Sequence, residues 1–314
     1  MSSAFADAAR TVCATASQVA SPLRIEPQAA PAGSLTADDE AALRSLRGII
    51  GTALSSVDSE SWRGEAEAHC DDFTLLRFVR SRTDSVNSAF EMFRDAMSWR
   101  SSNRINHLFV ELHPKAPEPS KRQRLARAHY FGGFGGIDKS GSPYFVLRVG
   151  QADFAAFARD PELAQLMCDA DAVNMEHIFR TVRCGSAATG RFVRAMVVVD
   201  IAGFSLSALR HIGLIKAVMK VGPNVFPEGA SKVLLVNAPR IFAAAWAVVS
   251  PLLPQRSRDK VSIYSASATS AALLELIDSN ELPKFLGGSQ PEAESLIARA
   301  ERVPDGTRAA IELS

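Results

Sequence analysis

Residues 226–264, FPEGASKVLLVNAPRIFAAAWAVVSPLLPQRSRDKVSIY, restrict the fold more than any other stretch of the chain. Residues 232–236, KVLLV, carry a short apolar run after Lys232, the pattern of a strand buried on both faces. A turn at Asn237, Ala238 and Pro239 leads into residues 241–253, which read as a helix that is apolar on every side of its wheel, broken only by Ser250 and Pro251. A surface helix shows a polar side. This one has none, yet it falls well short of the roughly 20 residues that cross a bilayer. Arg240 and the prolines at 239, 251 and 254 argue further against a span. Two environments remain for it: deep burial, or contact with apolar material that is not protein. The next strand, 261–264, is preceded by Ser257, Arg258 and Lys260, and the first strand by Glu228. A carboxylate, a greasy helix and a hydroxyl with an ammonium in one segment suit an amphiphile with a charged head.

The rest of the chain falls into order around this segment. Residues 1–38, rich in Ala, Ser and Pro, read as a disordered leader. Helix starts follow at Thr36 to Glu40, at Asp71 and Asp72, and at Asp84 and Ser85, where Val86, Phe90, Phe93 and Met97 share one face. These helices predict an N-terminal lobe over 39–118, closed by a proline-bearing linker. Gly132, Gly133, Gly135 and Gly136 imitate a phosphate loop, but no buried strand runs into them and no helix clearly leaves. Asp138 to Gly141 predicts a hairpin turn into a strand over 144–149. Asp160 and Pro161 start a helix expected to end near Val182. From Ala195 on, strand and helix alternate three times, which predicts a parallel sheet with crossover helices in an α/β domain over 119–289. Pro291 and Glu292 open an expected terminal helix within 290–314.

Composition excludes some classes of function. With 35 basic and 34 acidic residues the net charge is +1, so no global field draws the chain to nucleic acid. The cysteines, Cys13, Cys70, Cys168 and Cys184, form no CxxC, which fits reduced thiols in a cytosolic protein. His69 beside Cys70 supplies too few ligands for zinc, so no metal is expected. No GxSxG occurs, and no Ser, His and Asp fall together at predicted strand ends, so the chain is not expected to be an enzyme.

Six segments in order carry a resemblance: LLRFVRSR (75–82), MSWR (97–100), GIDKSGSPYF (136–145), VVVDIAGFSLS (197–207), FPEGASKVLLVNAP (226–239) and LPKFLGG (282–288). Together they resemble the CRAL-TRIO lipid-binding family, especially its phosphatidylinositol/phosphatidylcholine transfer proteins. The resemblance implies a mixed, mostly parallel sheet flooring a lipid pocket, a helical N-terminal lobe, and a movable gate helix. The gate falls on Ile241, Phe242, Trp246, Val249, Leu252 and Leu253. The family's phosphoinositide residues fall on Glu228, Ser257 and Lys260, and its N-terminal arginine on Arg82. An ammonium, a guanidinium and a hydroxyl meet a phosphodiester, while a carboxylate accepts from inositol hydroxyls. The resemblance thus implies a bound phospholipid, phosphatidylinositol, in place of any cofactor. It also implies a second lipid, transient contact with a membrane surface such as Golgi or endosome, and presentation of lipid to a kinase. In the strand before DxxG, however, the hydroxyl residues of the choline-lipid binders are replaced by Ala195 and Val197, which argues against phosphatidylcholine as the second ligand. The alternative is a carrier of a sterol or other hydrophobic ligand without inositol specificity.

Overall fold

The structure is a computed structural model that describes residues 35–112, 121–129 and 132–290. The expected terminal helix, nearly all of the leader and the linker prolines lie outside the described residues.

The first helices begin where their caps predict. Thr36 caps α1 (Ala37–Leu54) with a reciprocal capping box to Asp39. After α2 (Arg63–Ala68), Asp71 accepts the Thr74 N–H at 2.8 Å to open α3 (Asp72–Ser81). Ser85 opens α4 (Val86–Ser102), and α5 (Ile105–Leu112) and α6 (Lys121–His129) follow. Leu46, Leu75, Phe78, Phe93 and Met97 pack together with Phe179 and Phe226 from beyond the lobe, so one core joins the N-terminal helices to the rest.

Strands β1 (Gly132–Ile137), β2 (Pro143–Leu147), β3 (Ala195–Asp200), β4 (Ala230–Ala238) and β5 (Val261–Ser265) form one sheet in the order β1-β2-β3-β4-β5. All neighbours are parallel except the β1–β2 hairpin. The architecture is the mixed, mostly parallel α/β fold expected from the alternating pattern. Between β2 and β3 run α7 (Phe154–Ala158) and α8 (Pro161–Thr189), capped by Asp160 and closed by left-handed Gly190. Between β3 and β4 runs α9 (Ile212–Val225). Between β4 and β5 lie α10 (Phe242–Val249) and α11 (Gln255–Arg258), and α12 (Ala266–Leu276) continues directly from β5.

Period-two alternation separates the two faces of the sheet. Tyr144, Val146, Met196, Val198, Leu234 and Val236 pack against Leu273 and Ile277 at the end of α12 and against Leu282 and Leu286. The opposite face, with Leu147, Val197, Val199, Val233, Leu235 and Val261, looks toward α8, α9 and α10.

Three elements differ from or add to the sequence reading. First, the glycines at 132–136, already read as no phosphate loop, form edge strand β1, which their low strand propensity conceals. Their smallness has a packing reason: a Cβ on Gly135 would lie 2.1 Å from the Tyr144 ring, whose hydroxyl donates to the Glu281 carbonyl at 2.6 Å. Gly135→Val is expected to lower stability by about 1 to 3 kcal/mol, read as a shifted urea midpoint, because a ring fixed at both ends cannot yield to an added side chain. Second, α8 runs seven residues past Val182, because Arg183 and Ser186 continue its buried face by polar contacts, Arg183 donating to Thr74 and Ser186 accepting from Arg77, rather than by being apolar. Third, the expected single helix over 241–253 is α10 followed by a 3-10 turn at Ser250–Leu252. Pro251 brings no N–H to the helical ladder, while Ser250 itself stays helical at φ -59°, ψ -35°; the chain becomes extended at Leu253, where the ring of Pro254 disfavours a helical residue before it.

Candidate functional site

Between the sheet and the three helices α8, α9 and α10 lies a chamber of two compartments, each of about 300 Å³. They share Leu147, Met175, Val199, Val233 and Leu253 in their walls, together with Gly222 and Pro223 from α9. The inner compartment is almost wholly apolar, walled by Phe204, Ile215, Val218 and Leu235 among others, and closed by Phe242, Trp246 and Val249 of α10. The outer compartment opens past Arg82, Glu228, Arg256, Ser257 and Lys260. Those four elements, the end of α3, the loop before β4, α11 and the start of β5, meet only through the fold.

Glu228 is the centre of the outer compartment. Its carboxylate receives Lys260 Nζ at 3.0 Å and Arg194 Nη1 at 3.2 Å, both on Oε2. Burial pushes the carboxyl up, but the hydrogen bond and charge of Lys260, helped by Arg194, outweigh it and hold Glu228 below the usual carboxylate range. Its backbone is left-handed, at φ 51°, where a side chain is uncommon. Arg77 secures that conformation. Its buried guanidinium donates to the Glu228 carbonyl at 2.7 Å and to the Val193 carbonyl at 2.7 Å, and lies 4.7 Å over the Phe192 ring. Desolvation pulls Arg77 down to about 9, so it stays charged at neutral pH.

All four head-group candidates line this compartment, and two of them, Glu228 and Lys260, are in direct contact. Arg82 faces the same space, with its Nη1 on the Ser81 carbonyl at 3.3 Å. Arg258, a cation the sequence places beside Ser257, turns instead to Gln255, while Arg256 takes the place in the wall and donates to the Arg80 carbonyl. Sequence reasoning missed Arg77, Arg194 and Arg256. For Arg77 a signal exists, since it lies four residues after Phe73 on the packed side of α3. No local pattern marks Arg194.

The gate candidates divide. Phe242, Trp246, Val249 and Leu253 face the inner compartment; Ile241, 49% exposed, points outward, and Leu252 is only partly buried and lines neither compartment. Ala243, Ala244, Ala247 and Val248 also lie outward, Val248 at 50%. An all-round apolar helix is thus half wall and half exposed surface. His69 and Cys70 both bond back to α2, at Glu65 and Ala66, and among the described residues no group of three or more His, Cys, Asp or Glu gathers to hold a metal. No described helix is long and apolar enough to cross a membrane.

The family model for the CRAL/TRIO domain matches residues 127–288. "Protein real-time" of Drosophila melanogaster is 29% identical over 220 residues, covering 68% of this chain and 32% of that protein. "Phosphatidylinositol/phosphatidylcholine transfer protein SFH9" of Arabidopsis thaliana is 24% identical over 225 residues, covering 70% of this chain and 38% of that protein. The chain spans about a third of the length of the first curated relatives it matches. Among solved structures, the crystal structure of Sfh5 superposes with a TM-score of 0.58 at 15% identity, covering 83% of this chain and 91% of that one, a likeness of fold.

Proposed function

The chain belongs to the CRAL/TRIO domain family, and from that premise we propose that it is a carrier of phosphatidylinositol that exchanges lipid with membranes without covalent chemistry. The observation that supports this reading is the pairing of Glu228 with Lys260 at the polar end of a chamber whose other end is apolar. The carboxylate and the ammonium are partners of each other. An inositol phosphodiester offers both a better partner: its ring hydroxyls donate to Glu228, and its phosphate accepts from Lys260, with Arg82, Arg256 and Ser257 in the same wall. Arg194 keeps Glu228 ionised and accepting while Lys260 turns to the phosphate.

The tails contribute little selectivity. A diacyl lipid carries roughly 0.8 kcal/mol per buried methylene, but the bilayer it leaves shelters those methylenes already. Discrimination therefore rests on the head group, where a buried polar group left without its partner costs about 1 to 3 kcal/mol. Val197 lines the outer compartment and Ala195 is buried behind it, and neither donates to a choline lipid's phosphate. In Glu228→Ala and Lys260→Ala, phosphatidylinositol transfer between vesicles is expected to fall on the order of tenfold. Wild-type transfer in both variants would refute the assigned head-group site.

A further inference from the structure

Past the carboxyl ends of β2 and β3 the chain makes two 3-10 turns, Val149–Gln151 and Leu206–His211, and a further cavity of about 240 Å³ lies between them, outside the lipid chamber. The carboxyl ends of parallel strands are where α/β sheets open crevices to ligands. The two connections cross backbone to backbone: a Cβ on Gly150 would lie 2.4 Å from the Ala202 carbonyl oxygen, and Gly203 is left-handed at φ 87°. Its inner wall, Val149, Phe154 and Phe204, is one side chain thick, because the same three residues line the apolar compartment. Phe204 stands edge-on to Phe242 of α10, with ring centroids 5.4 Å apart, so that wall is already packed in place.

The lining carries both signs of charge. Asp153, just before α7, lends Oδ1 to the Ala156 N–H at 2.8 Å, and its Oδ2 takes no donor among the described residues. Arg210 and His211 end the second turn, and among the described residues neither pairs with a carboxylate, Asp153 included. An anion alone would meet Asp153, and a cation alone would meet Arg210. A zwitterion finds a partner for each charge, and the phenyl wall takes an apolar group beside them. The volume lies below the range that holds drug-sized ligands, so the occupant is small. We propose that this cavity binds an apolar α-amino acid, with its carboxylate on Arg210, its ammonium on Asp153 and its side chain against Phe154 and Phe204. The cavity shares no lining residue with the head-group compartment, so the site does not depend on the inositol reading.

The test titrates the full chain with L-phenylalanine, with phenethylamine, which lacks the carboxylate, and with 3-phenylpropionate, which lacks the ammonium, and reads dissociation constants by calorimetry. Wild type is expected to bind phenylalanine about fivefold more tightly than either analogue, the upper end for a charge pair that water still reaches. Arg210→Gln should remove the advantage over phenethylamine. Asp153→Asn, which keeps the cap on α7, should remove the advantage over 3-phenylpropionate. Phosphoethanolamine, the zwitterionic head of a lipid without an apolar side chain, should bind about fivefold more weakly than phenylalanine, and equal binding would overturn the amino acid assignment. Equal binding of phenylalanine and its two analogues by wild type overturns the proposal whether or not the variants fold, as does no binding of phenylalanine at all. An advantage that survives both variants overturns it too, and so does one lost in Lys260→Ala instead, which would put the ligand in the head-group compartment.

Discussion

Arg100→Leu is expected to lower folding stability by about 3 to 5 kcal/mol, with a fall in thermal midpoint of roughly 10 °C for a chain of this size. The fully buried guanidinium grips Glu176 through two bonds, Nη1 at 2.7 Å and Nη2 at 2.8 Å, and donates from Nε to Glu65 at 2.9 Å. Arg180 adds a bond to Glu176 at 2.6 Å, and Asn106 links Arg180 to Glu65. Two arginines balance two carboxylates. Removing Arg100 leaves two buried carboxylates to one cation. The pair variant Arg100→Leu with Glu176→Leu restores the balance, with Arg180 and Glu65 each keeping Asn106. It should lose clearly less stability than Arg100→Leu alone, and a loss equal to the single variant's would show that packing rather than charge sets the effect.

The same network makes a pH dependence. Burial alone would push Glu176 up, but Arg100 and Arg180 together hold it down to about 2, well under its ordinary value near 4.5. A depressed carboxyl binds fewer protons folded than unfolded, so its contribution to stability is fully present above about pH 4.5 and is lost as pH falls toward 2. Urea midpoints should therefore decline steeply across that window in wild type and less steeply in the Arg100→Leu, Glu176→Leu pair.

These buried charges mark the limit of what the sequence makes legible. Caps and alternation are local: Thr36, Asp71, Ser85 and Asp160 each start the helix they predict, and the strands at 195, 232 and 261 follow from their apolar runs. Glu65, Arg100 and Glu176 lie 35 and 76 residues apart, and each read alone is a solvated helix residue. Arg77 and Arg183 are missed for the same reason, being buried by partners that only the fold supplies. In the candidate site, the likeness of their motifs singles out Glu228 and Lys260, and the fold brings the two side chains into contact. Arg194 was not, because its role depends on where the chain entering β3 passes the loop before β4. The break after α10 was legible in principle at Pro251. Its two-sided apolar surface made one continuous helix the simpler expectation.

That outer surface leads to the remaining large effect. Ile241, just before α10, and Val248 within it are about half exposed, with Ala244 and Ala247 between them, while Phe242, Trp246 and Val249 on the other side wall the chamber. Burying an aliphatic side chain fully is worth about 1.5 to 3 kcal/mol, so the exposed halves of Ile241 and Val248 together offer about 1.5 to 3 kcal/mol to a bilayer, and an aspartate at either place adds a desolvation cost instead. The double variant Ile241→Asp, Val248→Asp should therefore slow phosphatidylinositol transfer between vesicles on the order of 100-fold. The chamber wall is untouched, so the lipid occupancy reached after long incubation should match wild type. Val57→Asp is the control: Val57 is more exposed, at 83%, but lies in the short turn after α1, and its variant should transfer normally. If Val57→Asp slowed transfer as much, added negative charge would be the cause. If the double variant ran at the wild-type rate, the membrane would be met by some element other than the outer face of α10.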